Sequence, residues 1–190
     1  MKKKSLDQVT LVDKNDQVLG VMDKLEAHRN GGMLHRAISV FLFRKQGQDL
    51  ELCIQQRSDE KIVGAGQWAN TVCGNVRPTE DYLECAKRRL QEELGISDPK
   101  LELQPGAKFI YQAACNEEFS EHELDQVFVG WYDGAVQPNS AEVADTAWVS
   151  LSSLQNGNLD KPAYNWAPWF VIMLEREEVM ESIEHVINFV

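Results

Sequence analysis

Gly74, Glu80, Arg88, Glu92, Glu93 and Gly95 stand at spacings that gather charged side chains on one short helix behind a glycine. The glycine lets backbone come close to a ligand, and Glu92 and Glu93 offer carboxylate oxygens suited to a hard cation such as Mg²⁺ bound to a diphosphate. Arg89, in the same run, adds a planar fork of donors that matches phosphate oxygens. Alone, the Glu92-Glu93 pair would read as the solvated end of an acidic helix; the complete spacing favours metal. Cys73, directly before the glycine, reads by itself as a buried strand thiol, mostly protonated at neutrality given a reference pKa of about 8.5.

The elements that must position these residues are mostly strands. Residues 37–43 form a strong apolar strand, residues 50–56 alternate as its antiparallel mate, and residues 68–73 form a further strand running into Gly74. Thr79 is expected to cap the next helix, with Leu83, Ala86, Leu90 and Leu94 as its apolar face and Gly95 as its end. Residues 9–12 and 18–21 flank the turn-prone 13–16 and suggest an opening hairpin. Strands are expected at 108–114, 124–132 and 146–149, then one terminal helix over 165–185 with Pro168 in its first turn.

Composition bounds the function. The 190 residues are 43% hydrophobic and 26% charged, with no repeat or linker, which suits one α+β domain over residues 1–190. A net charge of -11 argues against unspecific binding to nucleic acid or to an anionic membrane, so an anionic ligand needs a local basic cluster. No apolar stretch reaches the ~18 residues of a spanning helix. No apolar run follows the lysines of Met1-Lys2-Lys3-Lys4, which makes export unexpected. Cys53, Cys73, Cys85 and Cys115 form no CxxC pair and suit reduced thiols in the cytoplasm, most of them as core residues.

The spacing from Gly74 to Ile96 resembles the Nudix box, G-x5-E-x7-R-E-U-x-E-E-x-G-U with U aliphatic. Arg89 stands where hydrolytic members of that superfamily usually carry a metal-binding glutamate. With its flanks, the box resembles the type I isopentenyl-diphosphate isomerases, a Nudix-fold branch that moves a double bond without hydrolysing its substrate. The resemblance covers nearly the whole chain. It runs from Asp23-Lys24-Leu25-Glu26-Ala27-His28 and Leu34-His35-Arg36-Ala37, through Trp68-Ala69-Asn70-Thr71-Val72-Cys73-Gly74 and Glu121-His122-Glu123, to Trp166-Ala167-Pro168-Trp169. It implies a Nudix-like α/β/α sandwich with a mixed sheet and small terminal additions, and a small isoprenoid diphosphate as the partner.

The resemblance also implies roles. Cys73 and Glu123 flank the C5 chain, because isomerising an unactivated alkene needs an acid at one carbon and a base at another, through a cation-like species that water would trap. Trp169 shelters the developing positive charge. Tyr111 supports the carboxylate or the reacting face by a hydrogen bond, or else is a half-buried strand tyrosine. Lys24, Arg57, Lys61 and Arg89 form the diphosphate-binding set, and Glu93 is the carboxylate near substrate-associated Mg²⁺. His28, His35, Glu121 and Glu123 match four ligands of a metal site whose remaining ligand in the family is a third histidine; here that position is Asn75.

An amide oxygen is a weaker donor than imidazole for Zn²⁺. Asn75 therefore ligates directly or through water, or the site prefers Mg²⁺ or Mn²⁺, or it has lapsed. The cofactors expected are Mg²⁺ and a second divalent ion, Mn²⁺ or Zn²⁺. Glu92 beside Glu93 carries the runner-up, a Nudix hydrolase that directs water at a diphosphate-linked substrate. Trp68 and Trp166 are expected in the core, and His122 and His185 at the surface.

Overall fold

The structure, a computed structural model, describes residues 8–155 and 164–188; the lysine-rich start weighed above lies outside them. Strands β1 (Gln8–Val12) and β2 (Val18–Asp23) form the expected hairpin. The Asp13 carboxylate closes its turn by accepting from the Asn15 and Gln17 backbone N–H groups at 2.8 and 2.9 Å. A short helix that the periodicity does not announce, α1 (Lys24–His28), follows with Asp23 as its cap. Strand β3 (His35–Gln46) turns back into β4 (Asp49–Arg57).

The single strand expected over 68–73 is two, β5 (Trp68–Ala69) and β6 (Val72–Asn75). The break has a cause in the side chains between them. The Thr71 hydroxyl accepts from Leu42 N–H and donates to the Cys53 carbonyl, while the Asn70 amide donates to the Val40 and Val72 carbonyls. Side chains thus do the work of a ladder there.

Helix α2 (Tyr82–Leu94) starts later than expected, because Asp81 rather than Thr79 caps it. Asp81 and Glu84 form a reciprocal capping box, each side chain accepting from the other's backbone N–H at 2.8 Å. Gly95 ends the helix in the left-handed region, at φ 67°, as its position foretold. Leu83 is 37% exposed and lies off the buried face, which Cys85, Ala86, Leu90 and Leu94 supply.

Strands β7 (Leu103–Ala114), β8 (Ser120–Trp131) and β9 (Val143–Ser150) complete the sheet, and α3 (Leu151–Gln155) follows. The expected terminal helix is broken into α4 (Pro168–Leu174) and α5 (Glu177–Asn188). At the break, Arg176 donates to the Ile110 carbonyl at 3.1 Å and stacks its guanidinium 4.5 Å from the Phe109 ring centroid, which docks the chain on β7.

The sheet is mixed, as expected. β3 pairs antiparallel with β1, β4 and β6 and parallel with β8, while β7 flanks β8 and β9 flanks β4. Alternation along β3 serves both faces. Ile38, Val40 and Leu42 pack toward α2, and Phe41 and Phe43 toward α4 and α5. Two cores therefore sandwich one sheet. Register then aligns side chains in rows: Tyr111 opposite Glu123 opposite His35, Asp125 opposite Ala37 opposite Asn75, and Val127 opposite Ser39 opposite Cys73.

Leu90 is fully buried among the α2 core residues, so Leu90→Ala is expected to lower unfolding stability in urea by ~2–5 kcal/mol. Leu83→Ala on the same helix is expected to change it by no more than about 0.5 kcal/mol.

Candidate active site

A cleft of about 770 Å³ opens where the ends of β6, β7 and β8 meet α1 and α2, and it is bordered by Cys73, Glu123, Tyr111 and Trp169. A larger groove of about 990 Å³ between β7 and α5 holds none of the predicted site residues.

The histidines are set by backbone. His28 ends α1, and its Nδ1 lies 2.6 Å from the Lys24 carbonyl; His35 begins β3, with Nδ1 2.7 Å from the Met33 carbonyl. A carbonyl only accepts, so both Nδ1 atoms donate and each ring turns its Nε2 inward. There His28 Nε2 meets Glu121 Oε2 at 2.9 Å, and His35 Nε2 meets Glu123 Oε1 at 3.5 Å. The four ligand atoms lie within 4.8 Å of one another. Two imidazole nitrogens and two carboxyl groups gathered this closely fit a divalent metal ion.

Asn75 touches the same group from the neighbouring row. Its Nδ2 lies 3.0 Å from both His35 Nε2 and Glu123 Oε1. The amide nitrogen faces the cluster, so ligation by Oδ1 requires a half-turn of the amide. Tyr111 donates to Glu123 Oε2 at 2.5 Å. Burial, then the charge of Glu121, raise the Glu123 carboxyl to about 8, with Tyr111 offsetting only part of the rise. Burial also opposes the charge of Glu121, but the bond and charge of His28 outweigh it and hold Glu121 at about 2.

Across the cleft the half-buried Cys73 thiol donates to Asn70 Oδ1 at 2.9 Å. Burial and the nearby Asp125 push it up to about 12, so it carries its proton at neutrality. Trp169 stands beneath Arg57, whose guanidinium is 5.2 Å from the ring centroid. Gly64, in the left-handed region at φ 64°, passes so close that a Cβ there would come within 2.6 Å of the indole.

Lys24, Arg57, Lys61 and Arg89 all border the cleft, as the sequence led one to expect. Lys24 reaches solvent through the cleft mouth, yet desolvation and then repulsion by Lys61, Arg89 and Arg57 lower its ammonium to about 8. Lys61 and Arg89 both pair with Glu142, Arg89 at 3.1 Å, a partner that sequence reasoning missed. Glu142 precedes β9, far along the chain from the glutamate-rich helix. The pairing of Arg57 with Val143 across β4 and β9, the Ser58 N–H donated to the Glu142 carbonyl at 3.0 Å and the Asn139 N–H donated to the Glu93 carbonyl at 2.8 Å bring it in. Ser39, Asn70 and Asp125 were missed as well.

Glu93 is placed apart from the histidine cluster. It is buried, accepts from Gln55 Nε2 at 2.7 Å and pairs with Arg89. Glu92 is held by Arg88 at 2.9 Å, Arg89 at 2.8 Å and Arg77 at 3.6 Å. Gly74 does admit a close approach, but by Arg89, whose Cγ would lie 2.7 Å from an added Cβ.

Because folded Glu123 holds its proton up to about pH 8 and an unfolded carboxyl releases it near 4.5, its share of stability falls as pH rises through that window and is level above it. In metal-free protein, Glu123→Gln is therefore expected to gain stability relative to the parent steadily from pH 4.5 to pH 8, read from urea midpoints. A difference that is flat with pH would contradict this.

A family model for the NUDIX domain matches residues 33–170. The isopentenyl-diphosphate Delta-isomerase of Burkholderia multivorans is 38% identical over 90% of this chain and 92% of its own length. The isopentenyl-diphosphate Delta-isomerase 1 of Aromatoleum aromaticum is 40% identical over the same shares. Among solved structures, a Deinococcus radiodurans protein gives a TM-score of 0.71 at 21% identity, covering 89% of this chain and 98% of its own. A Nudix hydrolase from M. smegmatis gives 0.60 at 18% identity, covering 83% and 94%. Those two establish the fold alone, whereas the sequence relatives reach over nearly the full length. The chain belongs to the Nudix superfamily and, within it, to the isopentenyl-diphosphate Delta-isomerases.

Proposed function

We propose that this chain interconverts isopentenyl diphosphate and dimethylallyl diphosphate, with Cys73 and Glu123 moving protons on opposite sides of the C5 chain. The observation that carries the reading is that a thiol and a Tyr111-buttressed carboxyl border one cleft whose mouth holds Lys24, Arg57, Lys61 and Arg89. The double bond shifts when a proton adds to its terminal carbon and another leaves the methylene on the far side of the branched carbon. The electron pair of that C–H bond becomes the new double bond.

Both groups hold protons in the free protein, so the exchange runs from a form in which one of them has given up its proton. The protonated group adds its proton to the terminal carbon and the ionised one takes the proton leaving the methylene, with Tyr111 keeping the Glu123 carboxyl oriented. Trp169 already has a cation, Arg57, against its ring and is suited to shelter a transient carbocation. The four cations are suited to hold the diphosphate; an Mg²⁺ accompanying it would be held by phosphate oxygens rather than by Glu93, whose carboxylate is closed off by Arg89 and Gln55. His28, His35, Glu121 and Glu123, with Asn75 through its amide oxygen, would hold an ion such as Mn²⁺ or Zn²⁺, which would supply fixed positive charge there. The hydrolase alternative is disfavoured by Glu92, whose carboxylate is engaged by three arginines rather than open to metal. A single working domain in the cytoplasm is supported by one connected sheet and by four free cysteines among the described residues.

Purified protein supplied with Mg²⁺ and then Mn²⁺ or Zn²⁺ is expected to exchange the two isomers, and Cys73→Ala to lose about 10²–10⁴-fold in turnover with its melting temperature kept. Failure to turn over with any metal, together with phosphate release from a nucleoside diphosphate derivative, would overturn the reading. In calorimetric titrations of metal-free protein, Glu121→Gln is expected to weaken Mn²⁺ binding and Asn75→His to strengthen Zn²⁺ binding; unchanged affinity in both variants counts against the ligand set.

A further inference from the structure

The ring of Trp169 is oriented without a hydrogen bond. It is 3% exposed, and its Nε1 is buried with no partner among the described residues. The tilt of the indole is therefore set by what packs against it. Arg57 lies over the face, 5.2 Å from the ring centroid. At the far edge the backbone of Gly64 passes, where an added Cβ would come within 2.6 Å of Cη2.

The loop between β4 and β5 that brings Gly64 there is tied on both sides of it. The Arg57 N–H donates to the Gln67 carbonyl at 2.8 Å and the Gly66 N–H to the Arg57 carbonyl at 3.1 Å, which closes the neck. Arg57 Nε and Nη2 donate to the Val63 carbonyl at 3.1 and 2.9 Å, and the Gln67 N–H donates to the Gly64 carbonyl at 3.2 Å. A methyl group at position 64 would also come 2.9 Å from Gln67 Oε1 and 3.2 Å from Arg57 Nε. The Gln67 amide is the end of a flexible side chain and can swing aside. The loop cannot retreat without breaking its own bonds, so the indole, tied by none, is what gives way.

We infer that Gly64 is a positioning residue for Trp169: by carrying no side chain, it lets the loop lie against the edge of the indole and sets the angle at which the ring faces the cleft. Gly64 itself does not border the cleft, whereas Trp169 does. The consequence for turnover rests on the isomerase reading, in which the ring shelters positive charge. Attraction between a cation and an aromatic ring is greatest over the ring face, so a tilted indole gives the reacting carbons less of it. The seating of the ring can be read without turnover.

Gly64→Ala is compared with Gly66→Ala, which lies in the same loop and the same left-handed region, at φ 69°, but whose Cβ would meet Asp59 Oδ1 at 3.3 Å and not the indole. The two share the backbone cost, and only the first reaches Trp169. Each is made in the parent protein and in Trp169→Phe, whose phenyl ring has no Cη2 and leaves room for the methyl group. The drop in melting temperature caused by Gly64→Ala is expected to shrink in Trp169→Phe, while that of Gly66→Ala is the same in both backgrounds. The near-ultraviolet circular dichroism of Trp169, isolated each time as the difference from the same chain bearing Trp169→Phe, is expected to change in Gly64→Ala and to keep its parent form in Gly66→Ala. Turnover, as kcat, is expected to fall about ten- to hundredfold in Gly64→Ala, to hold in Gly66→Ala, and to fall no further when Gly64→Ala is added to Trp169→Phe. Equal costs of Gly64→Ala in the two backgrounds, by either measure, overturn the inference, and so does a Trp169 signal that Gly64→Ala leaves unchanged. If Gly64→Ala does not fold, a folded Gly64→Ala/Trp169→Phe double variant supports the inference and an unfolded one overturns it. Absence of isomerase activity in the parent protein would overturn the function reading, while the melting temperatures and the Trp169 signal would still decide the seating of the ring.

Discussion

Three carboxyl groups, Glu121, Glu123 and Asp125, project from one face of a single buried strand, and keeping them buried side by side is the constraint around which the rest is arranged. Such crowding cannot persist with every group charged. The chain answers each one differently. Glu121 faces His28, Glu123 shares the hydroxyl of Tyr111 and the amide of Asn75, and Asp125 accepts from Ser39. One Asp125 oxygen is still left unpartnered. Tyr111, Asn75 and Ser39 come from strands of the same sheet and His28 from α1, so the parallel pairing of β3 with β8 is as much a part of the arrangement as the residues it aligns.

The cationic end obeys the same economy with signs reversed. Four positive side chains would repel in an empty cleft, and Glu142 lies between two of them, paired with Lys61 and Arg89. Arg89 is further held by Glu92 and Glu93. This arrangement keeps long, mobile side chains near the positions where phosphate oxygens would need them, which lessens the ordering that binding has to supply. It also explains how a protein of net charge -11 can gather cations at one end of its cleft, because the charges that matter are those within a few ångströms.

Much of this was legible in the amino-acid sequence, and what was not has identifiable reasons. The strong strand at 37–43 declares itself by its run of apolar residues, and the end of α2 by Gly95. The cap of α2 was misplaced by two residues, since Thr79 and Asp81 are both good caps and only the reciprocal bond with Glu84 separates them. The break between α4 and α5 has no local breaker; it comes from Arg176 docking on a strand more than sixty residues away. The same holds at the site. Cys73, Glu123 and the cations carry recognisable spacings, whereas Glu142 and Asn70 matter through contacts that exist only once the sheet has formed. Tyr82 and Leu83 likewise carry no signal that tells which faces the core, and Leu83 turned out to be largely open to water.

The two histidines owe their tautomers to the carbonyls of Lys24 and Met33, which are peptide groups and therefore present whatever side chains those positions bear. Replacing residues around the rings leaves that bias intact. The make-up of the cluster is thereby open to change at position 75, where the contact is made by a side chain and a single codon change can exchange one polar atom for another.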